Sequence, residues 1–199
     1  MSKRNKADSP AQRIALMAMM TALAMVLSYL ERLFPPIAGA VPGIKLGLAN
    51  VVVLFMLYSQ GLWQAFLTSM VRVLVMGMAF TSVPAMMYSL AGGLLSLGVM
   101  ALAKRLGWLS PVGVSVLGGV FHNVGQIALA MWVLQSPVLA AYLPVLLVAG
   151  VATGVATGTV AVGVLRAVRV LPPSGAGKPA APSGAVPEQA EPDTRAQEP

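Results

Sequence analysis

Two groups of polar residues interrupt strongly apolar stretches of this sequence and could bind a ligand. His122 and Gln126 are four residues apart and would share one face of a helix, with Asn123 about 100° further round. Arg72 lies ten residues into another apolar stretch. An ionisable side chain at membrane depth costs about 2.5–3.5 kcal/mol on insertion scales, so such residues are candidate functional residues. Imidazole, guanidinium and amide groups together predict a hydrogen-bonding pocket.

A second polar group follows a segment rich in proline and glycine, which favours a fixed, non-helical chain. Lys45 would lie at the outer mouth of this segment, and Asn50 over one turn deeper. The predicted substrate-binding residues are therefore Lys45, Asn50, Arg72, His122, Asn123 and Gln126. Their positive field favours an anionic or carbonyl-rich ligand.

Structural interpretations of the same residues stay open. Lys45 would snorkel to the membrane interface. Arg72 would pair with Glu31 or with backbone carbonyls. His122 and its amide neighbours would form hydrogen bonds that only hold helices together.

Several kinds of catalysis lack their residues in this chain. The sequence contains no H-x-x-x-H, no C-x-x-C and no carboxylate pair, so we expect no metal site. It contains no Walker A motif, so the chain does not hydrolyse ATP by itself. It has no Asp between residues 9 and 192, whereas prenyl-diphosphate synthesis needs paired Asp clusters to hold Mg²⁺. We therefore predict no catalytic residue, no cofactor and no free-standing enzyme.

The composition predicts the elements that must position these residues. Of 199 residues, 57% are apolar, 10% are charged and none is cysteine, whereas soluble domains are about 45–50% apolar and about 25% charged. So few charges cannot cover a water-facing surface. The net charge of +7 comes from basic residues at the ends of apolar runs, which indicates a topology signal rather than nucleic-acid binding.

Six apolar segments predict an all-α, six-helix transmembrane bundle. The predicted spans are 12–30, 46–58, 62–80, 84–103, 112–134 and 144–165, of which the second is short. Basic clusters precede the first span, separate the fourth from the fifth and follow the sixth, so both termini are expected in the cytoplasm.

This topology predicts a basic N-terminus (1–11), a transmembrane domain (12–168) and a disordered Pro/Ala-rich cytoplasmic tail (169–199), located in the cytoplasmic membrane. A cleaved signal peptide ending at 38–40 is the competing interpretation. The run from Ile14 to Leu30 is longer than a typical signal-peptide core.

Small residues at four-residue spacing predict close helix packing, because lipid gives helices no hydrophobic reason to associate. The predicted packing positions are Gly92, Gly93, Gly118, Gly119, Gly150, Gly154 and Gly158. The alternative is docking of a partner membrane protein, for which the alanines of the first helix, including Ala18 and Ala22, are the best candidates.

Four strings of this sequence resemble the Gx transporter family, which is also catalogued as heptaprenyl diphosphate synthase component I. They are PGIKLGLAN (42–50), VRVLVMG (71–77), SLAGGLLSLGVM (89–100) and GVSVLGGVFHNVGQ (113–126). The resemblance covers about 12–168. That family is similar in size and span count to the substrate-binding S components of energy-coupling-factor (ECF) transporters.

The resemblance implies a membrane subunit that captures a small molecule from outside. A transmembrane coupling partner and two cytoplasmic ATPases would drive its transport. It also implies partner docking at Ala18 and Ala22 and a substrate-gating loop containing Pro42 and Gly43. The alternative is a non-catalytic accessory subunit of heptaprenyl diphosphate synthesis. A standalone secondary transporter is a weaker third possibility, because the halves show no clear inverted repeat.

Overall fold

A computed structural model describes residues 10–33, 47–168 and 170 of the chain, and these residues form a bundle of six α-helices. The helices are α1 (Pro10–Leu33), α2 (Leu48–Ser59), α3 (Leu62–Phe80), α4 (Val83–Leu106), α5 (Pro111–Leu134) and α6 (Leu143–Ala167). A 3-10 helix (Pro137–Tyr142) leads into α6. Within the described residues there is no β-strand, and the all-α prediction is confirmed.

Five helical segments are long and apolar enough to cross a membrane. They lie in α1, α3, α4, α5 and the continuous segment Pro137–Ala167, which includes α6. Large apolar side chains cover their outer surfaces; Met78, for example, is 81% exposed. A soluble protein rarely exposes apolar patches of this extent, whereas lipid accommodates them. The chain is therefore a multi-pass membrane protein.

The second helix is too short to cross a bilayer. Its 12 residues extend about 18 Å at about 1.5 Å per residue, against about 30 Å of hydrocarbon core. It contacts α1, α3 and α6, and every residue from Val52 to Leu57 is buried, as expected of a helix that is apolar all round. A two-residue turn, Gln60–Gly61, joins its end to α3. The part of the hydrocarbon core that α2 does not span therefore lies beyond its N-terminal end.

Glycines let α5 approach α6 closely. A Cβ on Gly119 would overlap the carbonyl oxygen of Gly150, and a Cβ on Gly150 would lie 2.9 Å from the carbonyl oxygen of Gly119. Further along α6, a Cβ on Gly154 or Gly158 would lie 2.6 or 3.0 Å from a Cα atom of α5. The backbones of these two helices are thus in direct contact, which needs a small residue at each crossing.

The other glycines predicted to pack are on α4 and α5 and are not equivalent. A Cβ on Gly118 would lie 2.5 Å from Sδ of Met100, and a Cβ on Gly92 would lie 2.6 Å from a carbonyl oxygen of α5. Gly93, in contrast, has room for a Cβ, whose nearest neighbour would be Oγ of Ser69 at 3.7 Å.

The first helix is the least covered of the six. Ala18 and Ala22 are both exposed on its outer face. The face proposed for partner docking is therefore open to lipid in the described chain.

Candidate functional site

A small polar cavity lies at the N-terminal end of α2. It has a volume of about 40 Å³, which suits one or two waters or a small functional group. Pockets that hold a whole drug-sized ligand typically have volumes of about 300–1,000 Å³. The lining residues come from α1, the start of α2, α5 and α6: Glu31, Gly47, Asn50, Gly119, His122, Asn123, Gln126 and Thr153.

The cavity lies where α2 fails to reach the end of the bundle. Glu31 is in the last turn of α1, Asn50 in the first turn of α2, and Thr153 in the first half of α6. These positions lie in the half of the bundle that is opposite Pro10 and Ala167. The short α2 therefore leaves a gap that longer neighbours surround.

Glu31 connects α1 to the start of α2. Its Oε1 accepts a hydrogen bond from the backbone N–H of Gly47, with a donor–acceptor distance of 2.5 Å. Gly47 precedes α2 in a left-handed conformation with φ of 71° and has no side chain to cap the helix. The first N–H groups of a helix have no partner within it, and its N-terminus carries a partial positive charge. Glu31 provides an acceptor and a negative charge at this helix end.

Asn123 connects α5 to α6. Its Nδ2 donates a 2.7 Å hydrogen bond to the carbonyl oxygen of Leu146. A Cβ on Gly150 would lie 3.0 Å from that Nδ2 atom. The glycine contact between the two helices is thus what allows the amide to reach the α6 backbone.

His122 and Gln126 lie one turn apart on α5, and α4 supports both from behind. A Cβ on Gly92 would lie 2.6 Å from the carbonyl oxygen of His122 and 2.7 Å from Cγ of Gln126. The absence of a side chain at Gly92 therefore decides how far these two residues stand from α4.

Arg72 is not among the residues that line this cavity, so the structure does not bring it together with the other predicted binding residues. Its Nη1 donates a 3.1 Å hydrogen bond to Oγ of Ser28 on α1, while its Nε is buried without a hydrogen-bond partner. Glu31, one turn beyond Ser28, is the acid whose charge acts on the guanidinium. Arg72 thus holds α3 to α1, which is close to the structural interpretation considered for it.

Four of the six residues predicted to bind substrate lie together around the cavity: Asn50, His122, Asn123 and Gln126. Lys45 and the two residues predicted to gate, Pro42 and Gly43, lie outside the described residues. Among the described lining residues, Glu31 is the one acid and none is Lys or Arg. Of the three basic residues whose positive field favoured an anionic ligand, His122 lines the cavity, Arg72 does not, and Lys45 lies outside the described residues.

Sequence reasoning did not assign four lining residues to the pocket: Glu31, Gly47, Thr153 and Gly119, the last of which was predicted only to pack. Glu31 had a visible signal, because it is the one acidic residue between Asp8 and Glu188. Thr153 lies inside the glycine repeat of α6, where the spacing indicated packing alone.

The opposite end of α2 is held by a cation. Nζ of Lys104, on α4, donates a 2.6 Å hydrogen bond to the carbonyl oxygen of Leu57. The same ammonium lies 4.8 Å from the centre of the Tyr58 ring, within cation–π range. The C-terminal carbonyls of a helix carry a partial negative charge, so a cation there is stabilising.

The fold and the cavity define a class: a multi-pass, all-helical membrane protein with a polar cavity between α1, α2, α5 and α6. The chain belongs to the family described as heptaprenyl diphosphate synthase component I, whose family model matches residues 20–164. The match includes every lining residue of the cavity. Comparison with curated proteins found no match, and comparison with solved structures found none either. The family description names one component of a synthase and therefore implies a partner component.

Proposed function

We propose that this chain is a membrane subunit that binds a small molecule for uptake, in the manner of an ECF S component. The observation that carries the proposal is the polar cavity within an otherwise apolar bundle. Polar side chains inside a membrane are expensive and usually functional. Asn50, His122 and Gln126 converge on a space that a packing role does not require.

The proposed subunit binds its ligand and does not transport it alone. The sequence has no Walker A motif, so energy has to come from a partner membrane protein with cytoplasmic ATPases. The exposed alanine face of α1, with Ala18 and Ala22, suits close approach of a partner helix. The cytoplasmic membrane and cytoplasmic termini are part of this proposal, because the basic clusters favour that orientation.

A second candidate function follows from the family description, which names component I of heptaprenyl diphosphate synthase. In that function the chain is an accessory membrane subunit, and a separate component performs the synthesis. We propose a non-catalytic role in both functions, because the sequence has no Asp between residues 9 and 192 to form the usual Mg²⁺ site.

A ligand screen separates the two functions. The purified full chain would be heated in detergent with vitamins, quinone precursors and prenyl diphosphates, and its melting temperature recorded. We expect a ligand that stabilises the wild type but not Gln126→Ala or His122→Ala. The control is Thr159→Val, at an exposed α6 position whose hydroxyl bonds its own helix.

The opposite pattern supports the accessory function. It consists of no stabilising ligand in any class, together with a stable complex between this chain and a prenyl diphosphate synthase subunit. A complex that forms equally well with the Gln126→Ala variant would show that the cavity is not needed for it.

A further inference from the structure

We propose that the cavity selects a cationic group that donates hydrogen bonds, such as an amidinium, guanidinium or ammonium, rather than an anion. The inference rests on the proposed binding function and names the chemical class of the ligand. It reverses the charge that the sequence pattern favoured.

The charges around the cavity favour a cationic ligand. Glu31 lines the cavity, whereas Arg72 does not and instead bonds Ser28 on α1. The N-terminus of α2 contributes about half a positive charge, and Arg72 interacts with the same carboxylate from outside the lining. Among the lining residues that the structure describes, Glu31 is the one acid and none is Lys or Arg, so a ligand meets the carboxylate directly.

The hydrogen-bond acceptors in the lining favour a ligand group with several donors. An ionised carboxylate only accepts hydrogen bonds and offers about four lone-pair positions, of which the N–H of Gly47 takes one. The amide nitrogen of Asn123 donates one of its two hydrogens to Leu146, and its amide oxygen remains an acceptor. Asn50 and Gln126 add two further amides to the lining, each of which can accept as well as donate hydrogen bonds. A donor-rich group can pair with the carboxylate and with the amide oxygens, whereas an anion cannot pair with the carboxylate.

The size of the cavity and the shape of a carboxylate favour a small, planar head group. A volume of about 40 Å³ suits a head group of a few atoms rather than a complete ligand. A planar amidinium or guanidinium pairs with a carboxylate through two parallel hydrogen bonds, which is among the stronger polar contacts in proteins. The remainder of such a ligand would lie outside the cavity.

The test uses three probes of equal size and shape: acetamidinium, acetamide and acetate. Each is planar with four non-hydrogen atoms, and they differ in charge. Dissociation constants would be measured for the full chain in detergent by ligand-observed NMR. We expect the wild type to bind acetamidinium at least tenfold more tightly than acetate, with acetamide between them.

Variants connect that preference to the carboxylate. Glu31→Gln keeps a side-chain oxygen for the N–H of Gly47 but removes the charge, and it should abolish the preference. Gln126→Glu adds a second carboxylate to the lining, and it should increase the preference. Gln126→Glu also tests the inference if Glu31→Gln does not fold. Glu188→Gln removes one acid far along the sequence and should change nothing.

Two results would overturn the inference and leave the binding function standing. One is tighter binding of acetate than of acetamidinium. The other is a preference that is unchanged in Glu31→Gln or not increased in Gln126→Glu. Absence of saturable binding for all three probes also overturns the inference. The binding function is then decided by the larger ligand screen, which does not depend on these probes.

Discussion

Glu31 and Lys104 bind opposite ends of the same buried helix. Glu31, on α1, accepts a hydrogen bond from the N–H of Gly47, and Lys104, on α4, donates one to the carbonyl oxygen of Leu57. An acid thus stands at the positive end of α2 and a base at its negative end. Each such arrangement stabilises a helix by about 0.3–1 kcal/mol, and by up to about 2 kcal/mol when partly buried.

We expect Lys104→Met to lower the free energy of unfolding by about 1–2 kcal/mol, because it removes both the hydrogen bond and the charge at this helix end. Unfolding of the purified chain in detergent, followed by circular dichroism, measures the change. Arg105→Met is the matched control, since Arg105 is the exposed neighbour on the same helix. Equal losses in both variants would show that the contact of Lys104 with α2 is unimportant.

We expect Gly92→Ala to weaken ligand binding by about tenfold or more, because the added methyl would displace the backbone of His122 and the side chain of Gln126. A displacement of about 1 Å in a positioned group is enough for large functional losses. The adjacent variant Gly93→Ala is the control, because its Cβ would lie 3.7 Å from Ser69. Binding isotherms that coincide for the two variants would contradict the proposed site.

We expect Gly119→Ala to destabilise the bundle by about 1–3 kcal/mol, the usual cost of overpacking. The methyl would meet the backbone of Gly150, which cannot rotate away. Gly98→Ala provides the comparison, since nothing lies within 4 Å of a Cβ there. Alanine should stabilise that position by up to about 1 kcal/mol through helix propensity. Melting temperatures that fall for both variants would count against backbone contact between α5 and α6.

We expect Ser28→Ala to lower the free energy of unfolding by about 1–3 kcal/mol. It removes the acceptor of Nη1 of Arg72, whose Nε already lacks a partner, and unsatisfied buried donors are costly. Adding Arg72→Met should recover part of this loss, because the stranded donors are then absent. A double-mutant cycle measures the coupling. Strictly additive losses would mean that the two side chains do not interact.

The fold followed from local patterns, and the site followed only in part. The span predicted at 62–80 coincides with α3 (Leu62–Phe80), and that at 112–134 begins one residue after α5 does. Hydropathy and the residues that begin and end helices are local signals, so each helix can be predicted from its own segment of the sequence. The four-residue spacing of His122 and Gln126 likewise predicted that both face one way.

Contacts between helices that are distant in the sequence could not be predicted from such local patterns. The alternatives for Arg72 could not be separated, because its bond to Ser28 depends on how α3 lies against α1. Glu31 was recognised as the lone acid of the membrane domain, but its position beside Gly47 depends on where α2 begins. A charged residue that stabilises the end of another helix produces no periodic pattern in the sequence, so its partner cannot be predicted from spacing.

The shortness of α2 has a consequence for membrane voltage. Its 12 residues cover about 18 Å of a hydrocarbon layer of about 30 Å, so the cavity lies about 12 Å below one face. Moving one charge across the whole membrane is worth about 2.3 kcal/mol per 100 mV. If the field falls evenly, a cation that enters the cavity from outside therefore gains about 0.9 kcal/mol per 100 mV of inside-negative potential before any partner acts. In the proposed orientation, a membrane potential then acts on the occupancy of the site.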